Sequence, residues 1–215
     1  MRVIILGDIH GNLPALEKVL KIEHNNFDLL VCHGDVVNYA PWSNECVQLL
    51  DTIDNKVLLK GNHEVNYLNK NYKGTHIVAQ TFFDVCFPKF KEFDRIKDYK
   101  ETYTLGDFTI QHTINDQYVY PDTDLQELNL NKNYIIGHSH YAFDRTENGN
   151  RIINTGSLGQ NRVFINESNY IIYDLDKEKV QKKDFINNFD LVIEKMKALK
   201  YPELCLNYYL NKKRR

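Results

Sequence analysis

Four times along this chain a short apolar run breaks off at a glycine set among carboxylates, imidazoles or carboxamides. Val3-Ile4-Ile5-Leu6 runs into Gly7-Asp8-Ile9-His10-Gly11, and Asp28 to Cys32 into His33-Gly34-Asp35. Lys56 to Leu59 precedes Gly61-Asn62-His63-Glu64, and Tyr134 to Ile136 precedes Gly137-His138-Ser139-His140. Apolar runs without alternation predict strands buried on both faces. Between the first three, Leu13, Leu16, Val19 and Leu20 recur at helical spacing behind Asn12, a good N-cap, with Pro14 in the first turn. Val47, Leu49 and Leu50 do so behind Ser43, read as a second cap. The order β-α-β-α-β implies parallel strands with helices on them. In open α/β sheets ligands bind outside the carboxyl ends of the strands. The four polar clusters are therefore expected to converge on one crevice.

Farther along, the stretch from Val65 to Tyr99 is rich in Asn, Lys, Tyr and Phe and poor in periodicity. It is expected to form a small helical cap, about residues 65–100, inside a single domain spanning 1–215. From Glu101 the pattern turns to β. Gly106-Asp107 and Asn148-Gly149 mark hairpins between Thr102–Leu105 and Phe108–His112 and between Ala142–Thr146 and Arg151–Asn154. Asn169 to Asp174 is a late strand, and Phe185 to Lys200 a late helix with Phe189, Val192, Ile193 and Met196 on one face. The fold class that holds both halves is α/β: a four-layer α-β-β-α sandwich of two packed mixed sheets with flanking helices.

Composition narrows the function classes. The 215 residues are 42% hydrophobic and 26% charged, with a net charge of -2. That is the profile of a soluble globular protein, with no sign of stable nucleic-acid or membrane binding. No stretch approaches the roughly 18 apolar residues of a membrane span. Cys32, Cys46, Cys86 and Cys205 are scattered without a CxxC pair, against a zinc knot or a disulfide scaffold. A cytoplasmic location is expected. The basic run Lys212-Lys213-Arg214-Arg215 reads as a solvated, frayed tail.

Asp8, His10, Asp35, Asn62, His112, His138 and His140 offer oxygen and imidazole nitrogen but no thiolate. Such a set suits Mn²⁺, Fe, Ni²⁺ or Zn²⁺ rather than a structural zinc site. A carboxylate can bridge two ions through its two oxygens. His24, His33 and His76 are read as surface or core residues.

The order Asp8-x-His10, Gly34-Asp35, Gly61-Asn62-His63-Glu64, a lone His112 and Gly137-His138-x-His140 resembles the calcineurin-like metallophosphoesterases. Within them, Gly34 to Pro41 and Asn154 to Arg162 are similar to the small prokaryotic phosphodiesterase-like branch. Two departures stand out. Thr155 replaces the usual Pro of the late Asn-Pro-Gly-Ser motif, and Thr113 stands where a Gly usually follows the lone His. The resemblance implies two divalent ions per chain, Mn²⁺ first among the candidates. Asp8, His10 and His140 would hold one ion, Asn62, His112 and His138 the other, and Asp35 would bridge them. It also implies hydrolysis of a phosphate ester by metal-bound hydroxide, with His63 protonating the leaving group. Expected substrates are small phosphodiesters or nucleotides.

Arg162, Asn38, Tyr39 and Ser157 are the candidate substrate contacts. Trp42 and the aromatics of the cap are candidates for stacking on a base, weighed against core packing. Protein Ser/Thr phosphatases and dinucleoside-polyphosphate hydrolases share the core motifs. They carry an Asp-Arg-Gly where Asn38-Tyr39-Ala40 stands, and an Arg where Lys60 stands, so they rank second. A non-catalytic scaffold, such as the retromer subunit built on this fold, ranks third because no ligand is substituted.

Overall fold

The computed structural model describes residues 1–215. Its first sheet contains β1 (Arg2–Leu6), β2 (Leu29–Cys32), β3 (Lys56–Leu58), β9 (Glu167–Asp174) and β10 (Lys179–Ile186), in the order β10-β9-β1-β2-β3. The first three strands run parallel, and β9 and β10 are antiparallel additions at one side. The second sheet contains β4 (Thr102–Leu105), β5 (Phe108–Gln111), β6 (Asn133–Ile136), β7 (Ala142–Glu147) and β8 (Asn150–Thr155), in the order β4-β5-β6-β8-β7. Here β5, β6 and β8 are parallel, and the hairpins add β4 and β7 antiparallel.

The apolar runs have a direct cause. In β1, Ile4 and Leu6 face the helices while Val3 and Ile5 face the second sheet, and all four are fully buried. Burying each such side chain is worth about 1.5–3 kcal/mol. Between the sheets, Val31, Ile171 and Tyr173 of the first meet Phe108, Ile110, Ile135 and Ile153 of the second. All seven α-helices pack over the outer face of the first sheet or beside it. They are α1 (Leu13–Ile22), α2 (Ser43–Asp51), α3 (Asn62–Leu68), α4 (Ile77–Cys86), α5 (Phe93–Ile96), α6 (Phe189–Ala198) and α7 (Glu203–Leu210), and each contributes to one core cluster. The outer face of the second sheet is covered differently. Ile114, Val119, Leu125 and Leu128, from irregular chain with one 3₁₀ turn, pack on Tyr134, Ile136, Phe143 and Ile152. The sandwich of two mixed sheets is thus as expected, with its helices gathered on one side.

Local differences from the sequence expectation follow from side-chain use. Asn12 does cap α1, accepting from the Ala15 amide at 3.2 Å. Ser43 is not the cap of α2 but its first residue; its hydroxyl accepts from the Asn38 amide at 3.0 Å, and Trp42 is the N-cap. The late helix starts at Phe189, because Phe185 and Ile186 belong to β10. The basic tail is solvated, as expected, with Lys213, Arg214 and Arg215 exposed, but its end is tied to the surface. Arg214 pairs with Asp190 at 2.7 Å, Arg215 with Glu167 at 3.0 Å and Asp184 at 3.2 Å, and the Ile165 amide donates to the Lys213 carbonyl. In the segment proposed as a cap, Tyr67, Phe82, Phe83 and Phe90 are buried in the main helix-side core. No helix is long and apolar enough to cross a membrane. All four cysteines are free and buried.

Candidate metal centre

The carboxyl ends of β1, β2, β3 and β6 deliver Asp8 and His10, Asp35, Asn62 and His63, and His138 and His140 to one place, and His112 follows β5. Chain reversal immediately after a strand demands unusual backbone. Asp8, His10, Asp35, Asn38, Tyr39, His138 and His140 all adopt left-handed conformations, with φ between 48° and 75°. Each costs on the order of 1 kcal/mol or more for a non-glycine residue. The surroundings hold them there. Asp8 N donates to the Gly34 carbonyl at 2.9 Å, His10 N to the Asp35 carbonyl at 3.0 Å, and His138 N to Asp8 Oδ2 at 2.9 Å.

His33 explains two of the neighbouring glycines. Its buried ring lies between Gly7 and Gly137, and a Cβ on either would come within 2.2 Å or 2.1 Å of ring Cε1. Its Nε2 pairs with Thr155 Oγ1 at 2.7 Å. His33 is therefore a structural floor, as expected. The Thr that departs from the family motif is its partner.

The donor atoms form two overlapping groups. In one, His140 Nε2 lies 3.2 Å from Asp8 Oδ1 and 3.1 Å from His10 Nε2, which is 3.9 Å from Asp35 Oδ2. In the other, His112 Nε2 lies 3.2 Å from Asp35 Oδ2, 3.2 Å from Asn62 Oδ1 and 3.2 Å from His138 Nδ1. Asp35 Oδ2 is common to both. All these residues are buried except Asn62, which is half-buried.

The arrangement fits cations. His140 Nδ1 donates to the Gln160 carbonyl at 2.7 Å and His10 Nδ1 faces the Val37 carbonyl at 3.4 Å, so both rings turn Nε2 lone pairs inward. Two lone pairs 3.1 Å apart repel unless a positive charge lies near both. Asp8 Oδ1 is buried with no hydrogen-bond partner, a costly condition for a carboxylate oxygen unless a cation satisfies it. Burial lowers the pKa of His10 and His63, and burial with the neighbouring His112 takes His138 down to about 3. These rings are neutral and able to ligate. Against the cost of burial, the Asp35 carboxylate raises His112 to about 9, and His140, His112 and His33 hold Asp8 below the usual carboxylate range.

His63 stands beside the donors. Its Nε2 is 3.9 Å from Asp35 Oδ2, its amide donates to Asp35 Oδ1 at 2.9 Å, and its Nδ1 meets Asn38 Nδ2 at 3.1 Å. Tyr67 donates its hydroxyl to Asn38 Oδ1 at 3.4 Å. The amide therefore presents its N–H₂ to His63 Nδ1, and the neutral ring keeps its proton on Nε2. Tyr39 is a wall of the site, with its ring 4.9 Å from that of His10 and 5.2 Å from that of His63. Asn38 is fully buried and holds His63. Ser157 is fully buried too; its hydroxyl donates to the Asp8 carbonyl at 2.7 Å and accepts from the Gln160 amide at 2.7 Å, so it fixes the Asp8 turn from beneath. Arg162 is half-buried in a side cavity, its guanidinium on the Tyr208 hydroxyl. Trp42 and most of the cap aromatics pack in or against the core; Tyr72 also lines that cavity.

Glu64 is the residue whose part the sequence alone did not reveal. It is fully buried, and its carboxylate accepts from the amides of Asp35 and Gly61 (2.8 Å each), Val36 (2.8 Å) and Val37 (3.1 Å). It ties the bridging-Asp loop to the start of α3. Burial, then the Asp35 charge, pushes its pKa up to about 7 against those four donors. Glu64→Ala strands four buried N–H groups at about 1 kcal/mol or more each. At about 2–4 °C per kcal/mol for a chain of this size, Tm is expected to fall by ~10 °C. Thermal unfolding of the metal-free proteins checks this, and a fall under about 2 °C contradicts it.

Comparison with known proteins agrees with this geometry. A family model described as calcineurin-like phosphoesterase matches residues 1–193. The chain is 29% identical over 207 residues to the uncharacterized protein MJ0912 of Methanocaldococcus jannaschii, covering 83% of this chain and 85% of that protein. The fold is similar to that of a metallophosphoesterase from Sphaerobacter thermophilus, with TM-score 0.80, 21% identity and 98% of each chain covered. It is also similar to that of the hypothetical protein PH1004 from Pyrococcus horikoshii OT3, with TM-score 0.78, 16% identity and 97% of each chain covered. With the family match running over nearly its whole length, the chain belongs to the calcineurin-like phosphoesterases.

Proposed function

We propose that the chain hydrolyses a small phosphate ester, preferentially a phosphodiester or nucleotide, with two divalent cations. The observation that carries this reading is the sharing of Asp35 Oδ2 between two groups of buried donors, with His63 beside both. Asp8, His10 and His140 would hold one cation, Asn62, His112 and His138 the second, and Asp35 both. A bound pair supplies Lewis acidity and can lower the pKa of water from about 15.7 to about 7.

The chain's own residues do the rest. Tyr39 and the buried imidazoles keep bulk water from the reacting phosphorus. In hydrolysis the water oxygen forms a new P–O bond, the ester P–O bond breaks, and the departing oxygen needs a proton. His63 would give that proton from Nε2, which faces the centre, in its charged imidazolium form, and be left as the neutral ring whose Nδ1 meets Asn38. General-acid help of this kind is worth roughly 10²–10⁴-fold.

Lys60, which stands where the protein phosphatases have an arginine, is tied to Glu101 at 3.3 Å. Small diesters are therefore expected to give a higher kcat/KM than phosphopeptides. A panel of nitrophenyl diesters, monoesters, nucleotides and a phosphopeptide, run with Mn²⁺, tests both statements. A phosphopeptide preference contradicts the specificity, and no turnover of any ester contradicts the hydrolase reading.

A further inference from the structure

Two cavities lie next to the metal centre, and they differ in charge. One of about 280 Å³ reaches it at Asn62 and His112; its Lys60 is paired with Glu101, which leaves the unpaired carboxylate of Asp116 to repel phosphate. The other, of about 630 Å³, lies beside it: its lining includes Ser139, between His138 and His140 in the chain, and no carboxylate. Its walls include Tyr72, Tyr118, Tyr120 and Tyr141, with Arg162 and Lys212.

The tyrosines are arranged for stacking. Tyr118 lies on the His138 ring, with 3.9 Å between centroids and 26° between planes. Tyr120 is stacked nearly parallel to Tyr118, at 6.1 Å and 11°. Both are exposed, at 53% and 40%, so aromatic faces beside a metal ligand are left open. The base of a nucleotide has the complementary flat face.

The two cations lack counter-ions. Arg162 donates to the Tyr208 hydroxyl and Lys212 Nζ lies 4.6 Å over the Tyr208 ring, but neither forms an ion pair. Arg2, Arg95, Arg151, Arg214 and Arg215 all pair with carboxylates, and Arg145, which does not, donates to the Pro121 and Thr123 carbonyls. Burial, and then the charge of Arg162, lowers the Lys212 ammonium below its usual pKa. Two half-buried like charges side by side are relieved by an anion, and a guanidinium fork suits phosphate oxygens.

We propose that this cavity binds one arm of a nucleotide that carries a second phosphate. The base stacks on Tyr118 and Tyr120, the second phosphate sits on Arg162 and Lys212, and the ester to be cut lies at the metal centre. The proposal rests on the hydrolase reading for the scissile phosphate alone. Cleavage is the same water-for-alcohol exchange at phosphorus and needs no further reactant.

The test is calorimetric titration of the metal-reconstituted full chain with adenosine 3′,5′-bisphosphate, adenosine 5′-monophosphate and ribose 1,5-bisphosphate. Alongside it, turnover of bis(p-nitrophenyl) phosphate is measured as a separate readout of the hydrolase reading. Adenosine bisphosphate is expected to bind at least about 10-fold tighter than ribose bisphosphate, from base stacking equivalent to roughly 5–150-fold, and about 10-fold tighter than the monophosphate, from the second phosphate on Arg162 and Lys212. Arg162→Gln and Lys212→Gln are each expected to weaken adenosine bisphosphate about 10-fold and the monophosphate less than about 3-fold. Tyr120→Leu, on an exposed ring, is expected to weaken both adenosine probes and spare ribose bisphosphate. Equal affinity for all three probes, or equal weakening of both adenosine probes by Arg162→Gln and Lys212→Gln, overturns the proposal. If bis(p-nitrophenyl) phosphate is turned over while no nucleotide binds, the cavity proposal falls and the hydrolase reading stands. Selective nucleotide binding without turnover of any ester leaves the cavity assignment and removes the hydrolase reading.

Discussion

Replacing His63 with alanine is expected to lower kcat by about 10²–10⁴-fold and to leave the metal content near that of the unaltered chain. The fold-loss corresponds to roughly 3–5 kcal/mol of barrier at about 1.4 kcal/mol per tenfold. The loss should depend on the leaving group. An alkoxide of high pKa needs the proton on His63 Nε2 as it departs, whereas nitrophenolate leaves unaided, so nitrophenyl esters should be the least impaired. The geometry makes this a sharp test, because His63 is also within reach of a group formed with His10 and Asp35. If His63→Ala strips a metal ion, the residue is a ligand. If its defect is uniform across leaving groups, it stabilises phosphoryl charge and is not the acid. Asn62→Ala is the contrast: one ion lost and all substrates slowed alike.

Asp35→Asn is expected to be the more damaging change, lowering metal affinity and turnover together, the latter by about 10³-fold or more. Asp35 Oδ2 is the one carboxylate oxygen within 3.9 Å of His10, His63 and His112. The substitution keeps the shape and the hydrogen bond from the His63 amide to Oδ1, but removes a negative charge shared by two cations. A loss of several kcal/mol in charge stabilisation is equivalent to that fall in rate. Elemental analysis and steady-state kinetics on the variant check it. Near-normal turnover with Asn at position 35 is incompatible with the proposed centre.

Much of the fold could be read because β1, β2 and β6 are buried on both faces and β3, though an edge strand, is half-buried along its length. Double burial turns a strand into an unbroken apolar run, and the residue at which the run stops is where the chain leaves the sheet. That is why Asp8, Asp35, Asn62 and His138 could be aligned by position. The same logic fails where only one face is buried. β10 alternates charged and apolar residues weakly, with Lys179, Lys182 and Lys183 on an edge strand, and its pattern does not separate from loop. α7 is short, and its Tyr208 and Tyr209 serve different surroundings, one at the cavity and one in the core.

At the site, residue types were legible and directions were not. Asn38 and Ser157 look like ligand-facing polar residues, yet both are spent on the chain itself, on His63 and on the Asp8 carbonyl. Glu64 gives no local sign that its carboxylate will gather four amides from two loops. Tyr118 and Tyr120 lie in irregular chain, where no periodicity shows that their rings stack together and that Tyr118 lies on His138. The left-handed backbone at five of the seven proposed ligands is equally silent in the sequence, since Asp and His tolerate it without glycine's signature.

Asp8, His10, Asp35, Asn62, His112, His138 and His140 are proposed to form one dinuclear centre. Elemental analysis of the protein after reconstitution with Mn²⁺ and removal of free metal tests it most directly. The account predicts close to two ions per chain, and loss of all turnover on chelation with recovery on re-addition. A content of one ion or none, with full activity retained, would contradict it.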